Sequence, residues 1–65
     1  MKASEVVVSD QVREQMAAFI NGLRASNAVM NEQASRESAL RLRSAFEALD
    51  KAQDALFAAI IEANP

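Results

Sequence analysis

The chain has 65 residues, of which 51% are hydrophobic and 25% charged, with a net charge of −2 and no Cys, His, Trp or Tyr. A chain this short forms one domain at most. Without Cys or His it has no disulfide, zinc cluster, thiolate nucleophile or imidazole base, so we expect neither an enzyme nor a bound metal or cofactor. A pI near 4.9 argues against binding that depends on neutralising phosphate groups.

The first half of the chain predicts a short arm followed by a helix. Residues 1–8 contain a Val triplet too short to form a sheet and are expected to be a flexible N-terminal arm. Ser9 and Asp10 suit a helix start, because Ser accepts a hydrogen bond from a first-turn N–H and Asp complements the helix dipole. Apolar residues then recur at helical spacing and predict a first helix over about residues 9–30. They form one stripe that is expected to face the core: Val12, Met16, Phe19, Leu23 and Met30, with Ile20 beside them. An alternative helix end lies at Gly22, where glycine suits a left-handed C-cap.

The second half predicts a longer helix over about residues 35–63, after a turn at about 31–35 and a cap at Ser35. Its apolar seam alternates spacings of four and three: Leu42, Phe46, Leu49, Gln53, Leu56, Ile60 and Ala63. Beside the seam, Ala45, Ala52 and Ala59 recur every seven residues, which would let a neighbouring helix approach closely.

These elements predict an all-α fold, an antiparallel two-helix hairpin with a short N-terminal arm. The second helix is expected to outrun the first, so that its C-terminal end overhangs. A hairpin covers only one face of each helix, and small chains without disulfides or metals often depend on self-association. We therefore expect a homodimer that forms a four-helix bundle.

Two groups of residues are candidates for binding. The apolar C-terminal half of the second helix is expected to form the oligomer or partner interface: Phe46, Leu49, Gln53, Leu56, Phe57, Ile60 and Ile61. Three arginines, Arg36, Arg41 and Arg43, are candidates for contact with an acidic partner. In an antiparallel two-fold dimer, the arginine end of one second helix would lie beside the acidic end of its mate.

The N-terminal half also resembles the ribbon–helix–helix repressors, through Val6-Val7-Val8-Ser9-Asp10 and Gly22-Leu23-Arg24-Ala25-Ser26. The resemblance covers roughly the first half of the chain and implies a dimeric strand ribbon that enters the DNA major groove. Here one face of that ribbon would carry Ala3, Glu5 and Val7, not base-reading side chains. DNA-binding regulation is therefore kept as an alternative, and nucleic acid is not the expected partner.

The sequence favours a non-catalytic module that binds a larger protein and modulates it by occupying its surface, with inhibition as the expected effect. Small free-standing inhibitors encoded by phages and mobile elements share this size and composition. A structural assembly or scaffold subunit is the second alternative. The longest purely apolar run has seven residues, from Ala55 to Ile61, so we expect no membrane segment and a cytoplasmic location.

Overall fold

The structure is a computed structural model that describes residues 2–65 and contains two long helices. A 3-10 turn over Ala3–Glu5 precedes α1 (Asp10–Met30), and α2 (Arg36–Ala63) follows a five-residue connection. The helices pack against each other along their lengths as an antiparallel hairpin, which confirms the predicted all-α hairpin. The hairpin is a rod of 49 × 18 × 15 Å. Its radius of gyration of 15.0 Å exceeds the roughly 11 Å of a compact domain of this length.

Both helices begin at the serine caps expected from the sequence. The Ser9 hydroxyl accepts a hydrogen bond from the Val12 N–H at 3.2 Å, and the Ser35 hydroxyl accepts one from the Ser38 N–H at 3.1 Å. The Ser38 hydroxyl in turn accepts a hydrogen bond from the Ser35 N–H at 2.8 Å. This reciprocal capping box satisfies two backbone donors and fixes the point at which the chain re-enters a helix.

The connection between the helices lies at residues 31–35, and α1 runs uninterrupted through Gly22, so the alternative helix end at Gly22 does not form. Glu32 and Arg41 form an ion pair between the connection and the second turn of α2. Both side chains are about half exposed, so the pair adds little to stability. The pair places Glu32 and Arg41 on the same side of the hairpin.

The two helices meet along a seam of residues spaced three and four apart on each helix. From α1 the seam contains Val12, Gln15, Phe19, Gly22, Ser26 and Val29, and from α2 it contains Ser38, Leu42, Ala45, Leu49, Ala52, Leu56, Ala59 and Ala63. Many of these side chains are small. The helices therefore approach closely, as the row of alanines in α2 predicted.

The helices come close together at Gly22. A Cβ atom on this residue would lie 3.1 Å from Leu49 Cδ1 and 3.7 Å from Leu49 Cα, so a larger side chain would fit only if the Leu49 side chain moved. One turn later, Ser26 is 2% exposed and its hydroxyl donates to the Gly22 carbonyl oxygen at 2.9 Å. The hydroxyl is thereby satisfied within its own helix, and the serine acts as a small packing residue.

The seam differs in phase from the apolar stripe predicted for α1. Met16, Leu23 and Met30 were expected in the core with Val12 and Phe19, but they are more than two-fifths exposed. Each of them follows a seam residue by one position and so lies on the flank of the contact. The prediction was wrong because it followed the largest side chains, whereas the seam of α1 uses the preceding column, Gln15, Gly22 and Val29.

A similar shift occurs in α2. Leu42, Leu49, Leu56 and Ala63 belong to the seam as predicted. At the intervening positions, the alanines Ala45, Ala52 and Ala59 replace Phe46, Gln53 and Ile60, which flank the seam.

The C-terminal end of α2 does not overhang. Val12, near the start of α1, is 1% exposed and packs with Leu56 and Ala59 in the buried cluster of the hairpin. This register places the extra length of α2 at its N-terminal end, level with the connection at 31–35.

The end of α2 is also tied to the N-terminal arm. The Asn64 side chain accepts a hydrogen bond from the Val7 N–H at 2.7 Å and donates to the Val7 carbonyl oxygen at 3.0 Å. It also donates to the Ile60 carbonyl oxygen at 2.9 Å. The arm was expected over residues 1–8, of which Met1 lies outside the described residues.

Gly22→Leu is expected to destabilise the hairpin by a net of up to about 2 kcal/mol, because displacing Leu49 or separating the helices costs about 1–3 kcal/mol and the better helix propensity of Leu offsets only about 0.8 kcal/mol. Ala18→Leu is the matched control, since Ala18 is exposed one turn earlier in α1 and should change stability by less than about 0.5 kcal/mol. Urea unfolding followed by circular dichroism at one protein concentration measures both. Equal midpoints for the two variants would contradict the close approach at Gly22.

Asn64→Ala is expected to accelerate hydrogen exchange of the Val7 amide by about tenfold, because a net hydrogen bond contributes about 0.5–1.5 kcal/mol. Asn64→Asp keeps an acceptor for the Val7 N–H but loses both donated bonds. The exchange rate of the Val7 amide in this variant should therefore lie between the rates in the wild type and in Asn64→Ala. NMR-detected exchange at this amide makes the comparison. Equal exchange rates in the wild type, Asn64→Ala and Asn64→Asp would refute the hydrogen bonds between Val7 and Asn64.

Candidate functional site

The large apolar side chains excluded from the seam lie together on one side of the hairpin. In α1, Met16, Leu23 and Met30 each follow a seam residue by one position, and in α2 Phe46 and Ile60 do the same. Because the helices are right-handed and run in opposite directions, the position after the seam lies on the same side of the hairpin in both. Both helices therefore present their displaced apolar residues to the same side.

We call this side the apolar face. It is formed by six side chains that are 40–54% exposed: Met16, Ile20, Leu23, Met30, Phe46 and Phe57. Gln53 and Ile60 are partly buried between these residues and the seam. An apolar patch that runs along a small protein in this way is typical of an interaction surface.

The opposite side of the hairpin contains only small and polar residues. It carries Glu14, Ala18, Asn21, Ala25 and Ala28 from α1, and Arg41, Ser44, Ala48, Lys51 and Ala58 from α2. The Glu32–Arg41 ion pair also lies on this side. The hairpin is thus amphipathic as a whole, with one side suited to water and the other to burial.

Two open grooves lie along the apolar side. The larger has a volume of about 500 Å³ and is lined by residues of α2 around Phe46, with Arg43 and Asp50 among them. The smaller, of about 250 Å³, is lined by Val29 and Met30 of α1 together with Ala39 and Leu42 of α2. The second groove spans both helices, as expected if the positions after the seam share one side.

The residues proposed as the interface from the sequence divide into three sets in the structure. Phe46 and Phe57 lie on the apolar face, and Gln53 and Ile60 lie at its inner edge. Leu49 and Leu56 belong to the seam, so their first role is to hold the hairpin together. Ile61 is 71% exposed on the outer surface of α2, one turn beyond Phe57.

The three candidate arginines do not form one patch. Arg36 and Arg43 are seven residues apart and lie along the outer edge of the apolar face. Arg41 lies on the opposite, polar side and pairs with Glu32.

The acidic residues of α2 are arranged as a solvated surface. Glu47, Asp50 and Asp54 are exposed. Across residues 2–65, no three acidic side chains converge in a way that could hold a metal ion. Over the same range, neither helix combines the length and the apolar character needed to cross a membrane.

The α1 half of the apolar face was missed by the sequence analysis, which placed its residues in the core. A signal was present in the sequence. The positions directly before the large residues 16, 23 and 30, namely 15, 22 and 29, also repeat every seven residues and could equally face the second helix. This second set contains Gly22, and the nearby Ser26 is also small. Small residues opposite the alanine row of α2 indicate the close contact, and the larger ones beside them indicate the exposed face.

No protein-family model matches the chain, and neither the curated proteins nor the solved structures compared with it include a significant match.

Leu56→Ala and Ile61→Ala should differ sharply, although both residues come from the interface predicted from the sequence. Loss of the buried Leu56 side chain is expected to cost about 2–5 kcal/mol of folding free energy. Loss of the exposed Ile61 side chain should cost less than about 0.5 kcal/mol. Thermal and urea unfolding of the two variants test this, and a similar loss in both would show that the seam is misplaced.

Proposed function

We propose that this chain is a small non-catalytic protein–protein interaction module, which pairs with a second copy in a four-helix bundle and binds and inhibits a larger protein partner. The observation that carries the proposal is the segregation of large apolar side chains onto one exposed side of the hairpin. A surface of that kind is stable in water when another protein covers it.

The exposed area of the chain supports the same proposal. The hairpin exposes 5127 Å², whereas a compact monomer of 7.1 kDa exposes about 4,100 Å². The excess of about 1,000 Å² per chain is comparable to one side of a stable protein–protein interface. Among the described residues, only Val12, Leu56 and Ala59 are buried apolar side chains, so the hairpin has little core of its own.

Binding to a larger partner follows from the chemistry that the chain lacks and the surface that a dimer leaves free. With no Cys or His, and with the acidic residues of α2 exposed, the chain can alter another protein by occupying its surface. Leu40 and Ile61 are exposed on the outer side of α2, 45% and 71% respectively. They are the large apolar side chains of α2 that a dimer through the apolar face would leave exposed to a further partner.

The ribbon–helix–helix alternative gains no support from the local structure. That topology requires a turn at Gly22 and a new helix near Ser26, but both residues lie inside α1, and Ser26 is buried in the seam. Residues 3–5 form a 3-10 turn. We therefore propose protein binding and not DNA binding.

Self-association is tested by light scattering coupled to size exclusion over a hundredfold range of concentration, with circular dichroism in parallel. A helical species of twice 7.1 kDa is expected across the range. Growth beyond a dimer as concentration rises would favour a structural assembly subunit instead. A poorly helical monomer would show that another protein supplies the missing half of the core.

Inhibition is tested with the partner in purified form. The tagged chain is crosslinked in its native cells, and a larger protein that copurifies at fixed stoichiometry is isolated separately. Its activity is then measured with the wild-type chain and with Ile61→Asp. We expect the wild type to lower that activity and the variant to bind more weakly, because the new carboxylate would lose solvation at the contact. Binding without any change in activity would contradict inhibition.

A further inference from the structure

We propose that the apolar face is covered by the same face of a second copy, with α2 of one copy packed antiparallel to α2 of the other and Arg43 of each opposite Asp50 of the other. This inference rests on the proposed dimer and specifies which face it uses, which helices meet and where the two-fold axis lies. The axis passes between the two α2 helices, perpendicular to both, at the level of Phe46.

A line of four residues along the outer edge of the apolar face carries the pairing. Arg36, Arg43, Asp50 and Phe57 are spaced seven residues apart on α2, so they lie in one row. Neighbouring members of the row are about 10 Å apart along the helix axis. At that separation Arg43 and Asp50 of one chain do not form an ion pair with each other, and among the described residues neither takes part in a salt bridge.

The row is complementary to its own reverse. When a second α2 is laid antiparallel about the midpoint between Arg43 and Asp50, each Arg43 faces Asp50 of the second copy. The same operation places each Arg36 over Phe57 of the second copy, where the guanidinium can contact the aromatic ring. A two-fold interface requires self-complementarity of this kind, because one surface must serve as both partners.

The same axis passes the centre of the apolar face. Phe46 lies between Arg43 and Asp50 and next to the axis, so the two Phe46 side chains would meet there. The contact of Gly22 with Leu49 sets the register of the hairpin and brings Leu23 of α1 to nearly the same level. An apolar centre would thus be flanked by paired charges, the usual arrangement of protein interfaces.

The other two-fold arrangement of two hairpins places α1 over α2 of the second copy. In the register set by Gly22 and Leu49, Asp50 would then face Ile20. Along the α1 half of the apolar face, from Arg13 to Met30, Arg13 is the only charged residue, and it lies level with Phe57. That arrangement leaves Asp50 against an apolar side chain, which is unfavourable.

The area also suits a second copy. An interface equal in area to the excess, about 1,000 Å² on each chain, would remove about 2,000 Å² from water, at the upper end of standard protein interfaces. Because both copies contribute the same patch, neither leaves an apolar face exposed.

Charge reversal tests the pairing directly. Arg43→Glu and Asp50→Arg each replace two attractive contacts with two repulsive ones, so each should weaken the dimer about tenfold at low salt. The double variant Arg43→Glu/Asp50→Arg should recover wild-type affinity. An equimolar mixture of the two single variants should form mixed dimers in preference to either homodimer, because every pair across the axis is then attractive. Sedimentation equilibrium gives the dissociation constants, and native mass spectrometry counts the mixed species.

Lys51→Glu is the control, since it makes the same charge change on the polar side of α2 and should leave the dissociation constant unchanged. A dimer that forms normally but responds equally to Arg43→Glu and Lys51→Glu would overturn this geometry while leaving the proposed dimer intact. A chain that stays monomeric at every concentration would overturn both.

A second pair of variants tests the face without relying on charge pairs. Phe46 is 46% exposed on the apolar face, whereas Ala48 is exposed on the polar side of α2. Phe46→Asp should weaken the dimer at least a hundredfold, and Ala48→Asp should not change it measurably. Circular dichroism shows whether each variant stays helical. If Phe46→Asp unfolds the chain, the charge-reversal series still decides the outcome, and equal dimerisation by two folded variants would refute the assigned face.

Discussion

The close contact between Gly22 and Leu49 sets most of the remaining architecture. Helices approach closely where small side chains lie at the contact, and here Gly22 and Ser26 of α1 lie against an α2 seam in which leucines alternate with a row of alanines. Once the small columns face each other, helical geometry turns the neighbouring columns of Met, Leu and Phe to one side. The exposed apolar face is therefore a direct consequence of how the hairpin closes.

Apolar side chains are buried partly within the hairpin and, in the proposed dimer, partly between two hairpins. Within one chain, the buried apolar set is small and centred on Val12, Leu56 and Ala59. The six large side chains of the apolar face stay 40–54% exposed. Seam packing positions the helices, and covering the apolar face would add to the apolar area that the hairpin already buries. The row from Arg36 to Phe57 would then determine the orientation in which two hairpins meet.

Much of the fold could be predicted from the sequence, because it depends on local signals. The serine caps at Ser9 and Ser35, the break near residue 31 and the alanine row of α2 each follow from chemistry within one or two helical turns. The phase of α1 could not be predicted in the same way, since a stripe of large residues is ambiguous until its partner helix is known. The hydrogen bonds between Val7 and Asn64 join residues 57 positions apart, so no local sequence pattern predicts them. The apolar face was recognised only in its α2 half, at Phe46 and Phe57. Its α1 half was missed because the large residues of α1 had been assigned to the core.

A seam of small residues also shapes how the molecule responds to temperature. The heat capacity of unfolding scales with the apolar area that becomes exposed. An unfolded chain of 7.1 kDa exposes about 10,300 Å² and the hairpin exposes 5127 Å², so one chain buries about half of its surface, compared with roughly 60% in a compact domain of this length. An isolated hairpin would therefore have a shallower stability curve than a compact domain of the same length. Association would bury a further area of about 1,000 Å² per chain and add to the heat capacity change and to the curvature. The temperature of greatest stability would then belong to the assembled pair and shift with its concentration.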